Sequence, residues 1–153
     1  MKLFFSLLVT LSVGAIAGIG TAHNIDTWYG TLSKPWFNPP NWIFAPVWTF
    51  LYVLMAISLS LIWKMPRSSK RNSALFIFFV QLAFNFFWSF IFFYFHAIAA
   101  ALADIILLWA SIFITILLFL NLKRAAGWLL VPYLVWVNFA MILNVSILHL
   151  NPA

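Results

Sequence analysis

The side chain with the strongest chemical potential in this sequence lies inside an apolar stretch. Asp104 occupies a run that contains no Lys or Arg to pair with it. An ionised carboxylate in hydrocarbon costs several kcal/mol unless it is paired or protonated. We therefore expect Asp104 to be neutral or hydrogen-bonded, with a structural role, and proton coupling is the alternative.

Tryptophans at helical spacing are the second candidate. Trp48 is followed by Tyr52 four residues later, and Trp136 lies on a helical stripe with Tyr133 and Ala140. Indole rings are large and flat and carry one N–H donor, so two of them facing a cavity form a stacking site for a planar ligand. The pattern predicts such a site at Trp48 and Trp136.

Neutral polar side chains follow the same spacing. A four-residue repeat joins Gln81, Asn85 and Ser89 in one segment, and Ser111 and Thr115 in another. Such residues lie on one face of a helix. For Gln81, Ser89, Ser111 and Thr115 we favour interhelical hydrogen bonds, which stabilise many membrane bundles.

The segment between residues 23 and 41 is rich in proline and aromatic residues. Prolines restrict the backbone and hold it extended or turned, so we predict a stiff lid over one mouth of the helical bundle. The lid residues singled out are Trp28, Lys34, Pro35, Trp36 and Pro40. Lys34 and His23 are candidates for contact with an anionic group of a ligand, and a solvated loop charge is the default for both.

Composition excludes several other classes of site. The chain has no cysteine, which rules out disulfides, thiolate metal sites and a cysteine nucleophile. Its three histidines, His23, His96 and His149, are too scattered to form a metal site. The net charge of +6 comes from basic residues in short loops between apolar segments, so it indicates membrane topology rather than nucleic-acid binding.

Five apolar segments position these groups. Only 7% of the residues are charged, whereas a soluble domain carries roughly 25%. A spanning helix needs roughly 20 mostly apolar residues, and the candidates are residues 3–22, 42–63, 74–95, 97–120 and 128–150. The expected fold is an all-α membrane protein, a single domain over 1–153, in which five transmembrane helices form a bundle and the Trp/Pro-rich first loop caps its pocket.

Basic residues predict the orientation of the bundle. With five spans, seven of the eight Lys and Arg residues lie on the side of the N-terminus, and Lys34 lies on the other. This bias predicts a cytoplasmic N-terminus and an external C-terminus. The first segment also resembles a secretory signal peptide, but its length and the Gly14–Gly18 pair favour a retained helix. That pair could pack within the protomer or in a homodimer.

The motifs together resemble the TspO/MBR family of translocator and tryptophan-rich sensory proteins. The first loop carries the family's signature as Trp28, Tyr29, Leu32, Lys34, Pro35, Phe37, Pro39 and Pro40, with Trp36 as an extra tryptophan. Further matches follow in the family's order: Trp48, Tyr52 and Met55; Gln81, Leu82, Asn85, Trp88 and Ser89; Asp104 and Trp109; Pro132, Tyr133, Trp136, Phe139, Ala140, Leu143 and Asn144.

The resemblance implies a five-helix bundle, often a homodimer, whose pocket binds tetrapyrroles such as protoporphyrin IX or haem. Carried over by position, the ligand-binding residues are Tyr29, Pro39, Trp48, Asn85, Trp88, Trp136 and Ala140, with Phe44 and Tyr52 as further lining residues. In bacterial members two pocket tryptophans, here Trp48 and Trp136, are linked to light-dependent porphyrin breakdown. The sterol-recognition stretch of animal members is not matched, because residues 144–149 lack its Tyr and Arg.

The leading hypothesis is a membrane tetrapyrrole-binding protein that acts as sensor, scavenger or transporter of flat hydrophobic ligands. The alternatives are light-dependent porphyrin degradation by the pocket tryptophans, proton-coupled transport through Asp104, and a structural or regulatory partner protein. No metal and no obligatory cofactor are predicted. The expected location is a bacterial cell membrane.

Overall fold

Five long helices dominate the computed structural model, which describes residues 1–152. They are α1 (Lys2–Asn24), α3 (Phe44–Trp63), α4 (Ser69–Ser89), α5 (Ile98–Leu122) and α7 (Val131–Leu150). Two short helices, α2 (Trp28–Thr31) and α6 (Arg124–Trp128), lie in the connections that precede α3 and α7. A 3-10 turn (Asn41–Ile43) leads into α3, and a π-helical turn (Phe90–Tyr94) follows α4.

All five long helical segments are long and apolar enough to cross a bilayer. Large apolar side chains such as Phe50, Phe76 and Val135 are exposed on the outside, whereas polar Gln81 and Asn85 are buried between helices. This apolar exterior and polar interior suits hydrocarbon, which offers no hydrogen-bond partners to exposed polar groups. The predicted fold class, a five-span helical bundle, is confirmed.

The helices pack in a ring. Helix α1 packs against α3 and α4, α4 packs against α5, and α5 packs against α7. The ring closes where the Ser58 hydroxyl of α3 donates to the Ala126 carbonyl of α6 at 2.7 Å. The last span bends between α6 and α7, where Pro132 occupies the first turn of α7. Proline is tolerated there because the first amides of a helix have no intrahelical acceptor.

Helix α4 begins several residues before the predicted third span because its first turn is capped. The Ser68 hydroxyl accepts a hydrogen bond from the Arg71 amide at 3.2 Å. The buried Arg71 guanidinium in turn donates to the carbonyls of Ile62 at 3.3 Å and Trp63 at 3.0 Å. The Lys2 ammonium also donates to the Trp63 carbonyl, at 2.6 Å. Two cations thus donate to carbonyls at the C-terminal end of α3, where cations are favourable.

Replacing Arg71 with Ala should lower the free energy of unfolding by about 1–3 kcal/mol, because the hydrogen bonds from the buried guanidinium to the Ile62 and Trp63 carbonyls are lost. Arg67→Ala is the matched control, since Arg67 is exposed, and surface substitutions usually change stability by about 0.5 kcal/mol or less. Denaturant unfolding in mixed micelles measures both. Equal stabilities for the two variants would contradict the capping role.

Candidate functional site

Residues 28–40, the lid, are docked onto the bundle at two points. The Ser33 amide donates to Asn151 Oδ1 at 2.9 Å, and Asn151 Nδ2 donates to the Ser33 carbonyl at 2.9 Å. Trp28 stacks on His96 with ring centroids 4.2 Å apart. His96 has a φ of 56°, a left-handed conformation that is uncommon outside glycine. The lid is therefore fixed both to the end of α7 and to the turn before α5.

The ammonium group of the lid's lysine, Lys34, bonds to other residues of the lid. The Lys34 ammonium donates to the carbonyls of Gly30 at 3.3 Å and Leu32 at 3.1 Å, and it lies 5.1 Å from the centroid of the Tyr29 ring. Neither Lys34 nor His23 lines a cavity described below. Both candidates for contact with an anionic ligand group are thus placed away from the cavities in this conformation.

Tyr29 is the most deeply buried part of the lid. Its side chain is 1% exposed, and its hydroxyl donates to Asn38 Oδ1 at 2.6 Å. Burial raises the pKa of Tyr29 to about 12, and the hydrogen bond with Asn38 partly offsets the effect. The phenol is therefore neutral at physiological pH and contributes an apolar ring to the cavity beneath it.

A small cavity, the aromatic cavity, lies beneath the lid and contains both predicted tryptophans. It is lined by Tyr29, Phe44, Trp48, Trp88, Phe92, Phe93, Trp136, Ala140, Leu143, Asn144 and Ile147, and its volume is about 20 Å³. That volume holds about one water molecule. The Phe44 ring packs edge-on against Trp136, with centroids 6.2 Å apart. In this conformation no ligand fits between Trp48 and Trp136.

A much larger cavity, the α1 cavity, lies on the other side of Trp48 and measures about 490 Å³. Its lining from α1 and the turn after it is Leu11, Gly14, Ala15, Ala17, Gly18, Thr21, Ala22 and Ile25. The opposite side is formed by Asn41, Phe44, Ala45, Trp48, Thr49 and Tyr52, and by Trp88, Ser89 and Phe93. This volume lies within the range of about 300–1,000 Å³ of small-molecule sites.

The two cavities share one wall. Phe44, Trp48, Trp88 and Phe93 line both of them, and we call these four side chains the aromatic wall. Two of them carry indole rings, which offer large flat faces to a ligand. A small displacement of the wall would therefore transfer space from one cavity to the other.

Glycines in α1 determine where the α1 cavity begins. A Cβ at Gly14 would collide with the Tyr52 ring, so α1 and α3 touch at this point. The Thr10 hydroxyl reinforces the contact by donating to the Tyr52 carbonyl at 3.0 Å. A Cβ at Gly18 would meet nothing within 4 Å, because the space there belongs to the cavity. Of the predicted GxxxG pair, Gly14 thus packs within the protomer and Gly18 faces the cavity.

The mouth of the α1 cavity opens between α1 and α3. The exposed lining residues belong to these two helices and are Leu11, Ala15, Gly18, Ala22, Ala45 and Thr49. Because both helices span the bilayer, the mouth faces hydrocarbon. The sequence contained a signal for this side of the site, the run of small residues on α1, but small residues predict close helix packing equally well.

A hydrogen-bond chain supports the cavities from below. The Tyr52 hydroxyl donates to Asn85 Oδ1, Asn85 Nδ2 donates to the Tyr133 hydroxyl at 2.9 Å, and that hydroxyl donates to Gln81 Oε1 at 2.9 Å. All four side chains are buried. The predicted interhelical role of Gln81 is confirmed, and Asn85 lies in this chain instead of at a cavity surface.

Of the other buried polar residues, some bond to a neighbouring helix and some bond to their own helix. The Trp88 indole donates to Asn144 Oδ1 at 3.3 Å, and Asn144 Nδ2 donates to the Ile98 carbonyl at 3.1 Å. The prediction of interhelical bonds for Ser111 and Thr115 is wrong, because their hydroxyls donate to Leu108 and Ser111 carbonyls of their own helix. This local bonding needs no partner helix, so helical spacing alone does not reveal it.

The predicted ligand-binding residues line one cavity, both cavities or neither. Those that line the aromatic cavity are Tyr29, Phe44, Trp48, Trp88, Trp136 and Ala140. Those that line the α1 cavity are Phe44, Trp48, Tyr52 and Trp88, whereas Pro39 and Asn85 line neither cavity. Asp104 also lines neither cavity, and within residues 1–152 its buried Oδ2 has no hydrogen-bond partner. The same range contains no cluster of three metal-ligating side chains.

Fold and site together define a class: a multi-pass integral membrane protein with five spans and an aromatic-walled, lid-capped interior. The sequence matches the profile of the TspO/MBR family over residues 5–150, so the chain belongs to that family. It is 41% identical over 152 residues to the tryptophan-rich protein TspO of Archaeoglobus fulgidus, covering 99% of this chain and 97% of that one. It is 40% identical over 156 residues to the protein of the same name from Chlorobaculum tepidum, covering 95% and 97%. The human translocator protein is 34% identical over 136 residues, covering 87% and 80%.

Tyr133→Phe should lower the free energy of unfolding by about 1–3 kcal/mol, because the buried Asn85 Nδ2 and Gln81 Oε1 atoms each lose the Tyr133 hydroxyl as their partner. Tyr94→Phe removes the same atom from a side chain that is 60% exposed and is the matched control. Thermal unfolding in detergent compares the two. A Tyr133→Phe protein as stable as the control would contradict a structural role for the chain.

Proposed function

We propose that this protein binds a tetrapyrrole, protoporphyrin IX or haem, in the α1 cavity with the ring against the aromatic wall. The observation that carries the proposal is the position of about 490 Å³ of space beside Trp48 and Trp88. A tetrapyrrole is planar and largely apolar, and aromatic rings favour offset or edge-on contact with such a surface. Membership of the TspO/MBR family supports the same class of ligand.

The chemistry of the lining supports recognition through the ring. None of the residues that line the α1 cavity is charged. The hydroxyls of Thr21 and Thr49 donate to carbonyls of their own helices, and that of Tyr52 donates to Asn85. The carboxylates of protoporphyrin or haem would therefore project toward the lid end of the cavity, where water and headgroups solvate them.

The mouth between α1 and α3 supports exchange of the ligand with the bilayer. A flat hydrophobic molecule partitions into hydrocarbon, and a lateral mouth receives it without displacement of the docked lid. This arrangement suits a sensor, scavenger or transporter. Asp104 lies outside both cavities and gives no support to proton-coupled transport. A homodimer and a cytoplasmic N-terminus stay predictions.

Light-dependent breakdown of the bound porphyrin is the second candidate. Trp48 has two further oxidisable rings beside it, Tyr52 at 5.8 Å and Tyr133 at 6.2 Å between centroids. In this reading bound porphyrin absorbs light and molecular oxygen is the oxidant. Loss of pigment absorbance in light but not in the dark, reduced in Trp48→Phe, would favour breakdown over simple binding.

Gly18→Leu should weaken protoporphyrin binding by about tenfold or more, a loss of about 1.4 kcal/mol or more. The new side chain has free space at its Cβ and occupies the α1 cavity without disturbing the helix contact at Gly14. Titration of the detergent-purified protein in the dark, followed by quenching of tryptophan fluorescence, measures the affinity.

Ser12→Leu is the control, since it adds the same side chain to α1 at an exposed position outside the cavity lining. Wild-type affinity in both variants would place the ligand outside the α1 cavity. The absence of saturable quenching in folded wild-type protein would overturn tetrapyrrole binding itself.

A further inference from the structure

The tip of the lid carries a tryptophan that the bundle does not cover. Trp36 is 95% exposed, and its packing partner is its neighbour Phe37, edge-on at 5.7 Å between centroids. Trp42, at the other end of the Pro39–Pro40 segment, is 73% exposed. Two large amphipathic rings thus lie on either side of the stiff Pro39–Pro40 segment, with Trp36 in the lid and Trp42 just after it.

The position of Phe37 places this tip beside the spans instead of above them. Phe37 packs against Phe139, with ring centroids 6.3 Å apart. Phe139 lies eleven residues before Leu150, the last residue of α7, which corresponds to about 16 Å along the helix axis. Trp36 directly precedes Phe37 in the chain, and Phe37 packs on a helix whose Ile142 and Val145 are exposed.

The absence of charged residues also favours an apolar environment around Trp36 and Trp42. No Lys, Arg, Asp or Glu occurs between Pro35 and Trp63, so no charged side chain in this segment resists contact with lipid. Indole rings are enriched at the boundary between headgroups and acyl chains, where the ring is apolar and its N–H finds acceptors.

We propose that Trp36 and Trp42 insert into the leaflet on the lid side, with phospholipid as the partner that covers them. The bilayer then holds the outer edge of the lid, while Asn151 and His96 hold its inner edge. Movement of the lid requires withdrawal of these two rings from the lipid. This anchoring is independent of which ligand the cavities bind.

Spin labelling tests the proposal directly, because the natural chain has no cysteine. A nitroxide is attached to Trp36→Cys or Trp42→Cys in ligand-free protein in phospholipid nanodiscs, and its collisions with oxygen and with a water-soluble nickel chelate are measured. Ile142→Cys, on the exposed face of α7, is the lipid reference, and Thr31→Cys, at an exposed position of α2, is the aqueous reference.

Labels at 36 and 42 should collide with oxygen more and with nickel several-fold less than the label at 31. Nickel accessibility equal to that at position 31 would overturn the proposal. Protection from both reagents, together with dipolar broadening between two labels at position 36, would also overturn it and would assign the tip to a contact between two copies of the chain.

A second measurement uses the native ring. Brominated phospholipids quench tryptophan that touches lipid, so wild type should lose a larger part of its fluorescence than Trp36→Phe in the same vesicles. Equal fractional quenching would contradict insertion of Trp36. Neither experiment requires tetrapyrrole binding, so its outcome is separate from that of the proposed function.

Discussion

The hydrogen-bond chain from Tyr52 through Asn85 and Tyr133 to Gln81 holds three spans, α3, α4 and α7, in a fixed relation. Hydrocarbon offers these groups no alternative partners, so separation of the helices would leave several buried polar atoms unsatisfied. These hydrogen bonds cross the middle of the bundle, and none of the four side chains that form them is charged. The aromatic wall rests on this base, since Trp48 packs against both Tyr52 and Tyr133.

The hydrogen bonds fix α3, α4 and α7 relative to one another. The free space lies between these helices and α1. Gly14 allows α1 to approach Tyr52 closely, and the residues beyond it are too small to fill the gap that follows. On the other side of the wall, Trp136 packs edge-on against Phe44 of the wall, and the aromatic cavity has room for about one water. The asymmetry between the two cavities thus follows from side-chain size on either side of Trp48.

The sequence predicted the spans and the stripe of Gln81 and Asn85 because length and helical periodicity depend on local order in the chain. The prolines predicted the lid, and in the structure the lid is held on the bundle by the hydrogen bonds between Ser33 and Asn151. The sequence did not predict the α1 cavity, because Gly18 and Ala22 are equally consistent with a tight helix contact. Nor could spacing reveal that Phe44 closes the gap before Trp136, since that depends on the relative positions of two helices distant in sequence.

A structure of the protein with protoporphyrin IX bound in a lipid environment tests the central claim most directly. We expect a planar ligand in the α1 cavity, in contact with the face of Trp48 that is turned toward Gly18, with the Tyr52–Asn85–Tyr133 bonds retained. A ligand inserted between Trp48 and Trp136 after displacement of Phe44, or one bound outside the bundle, would contradict it.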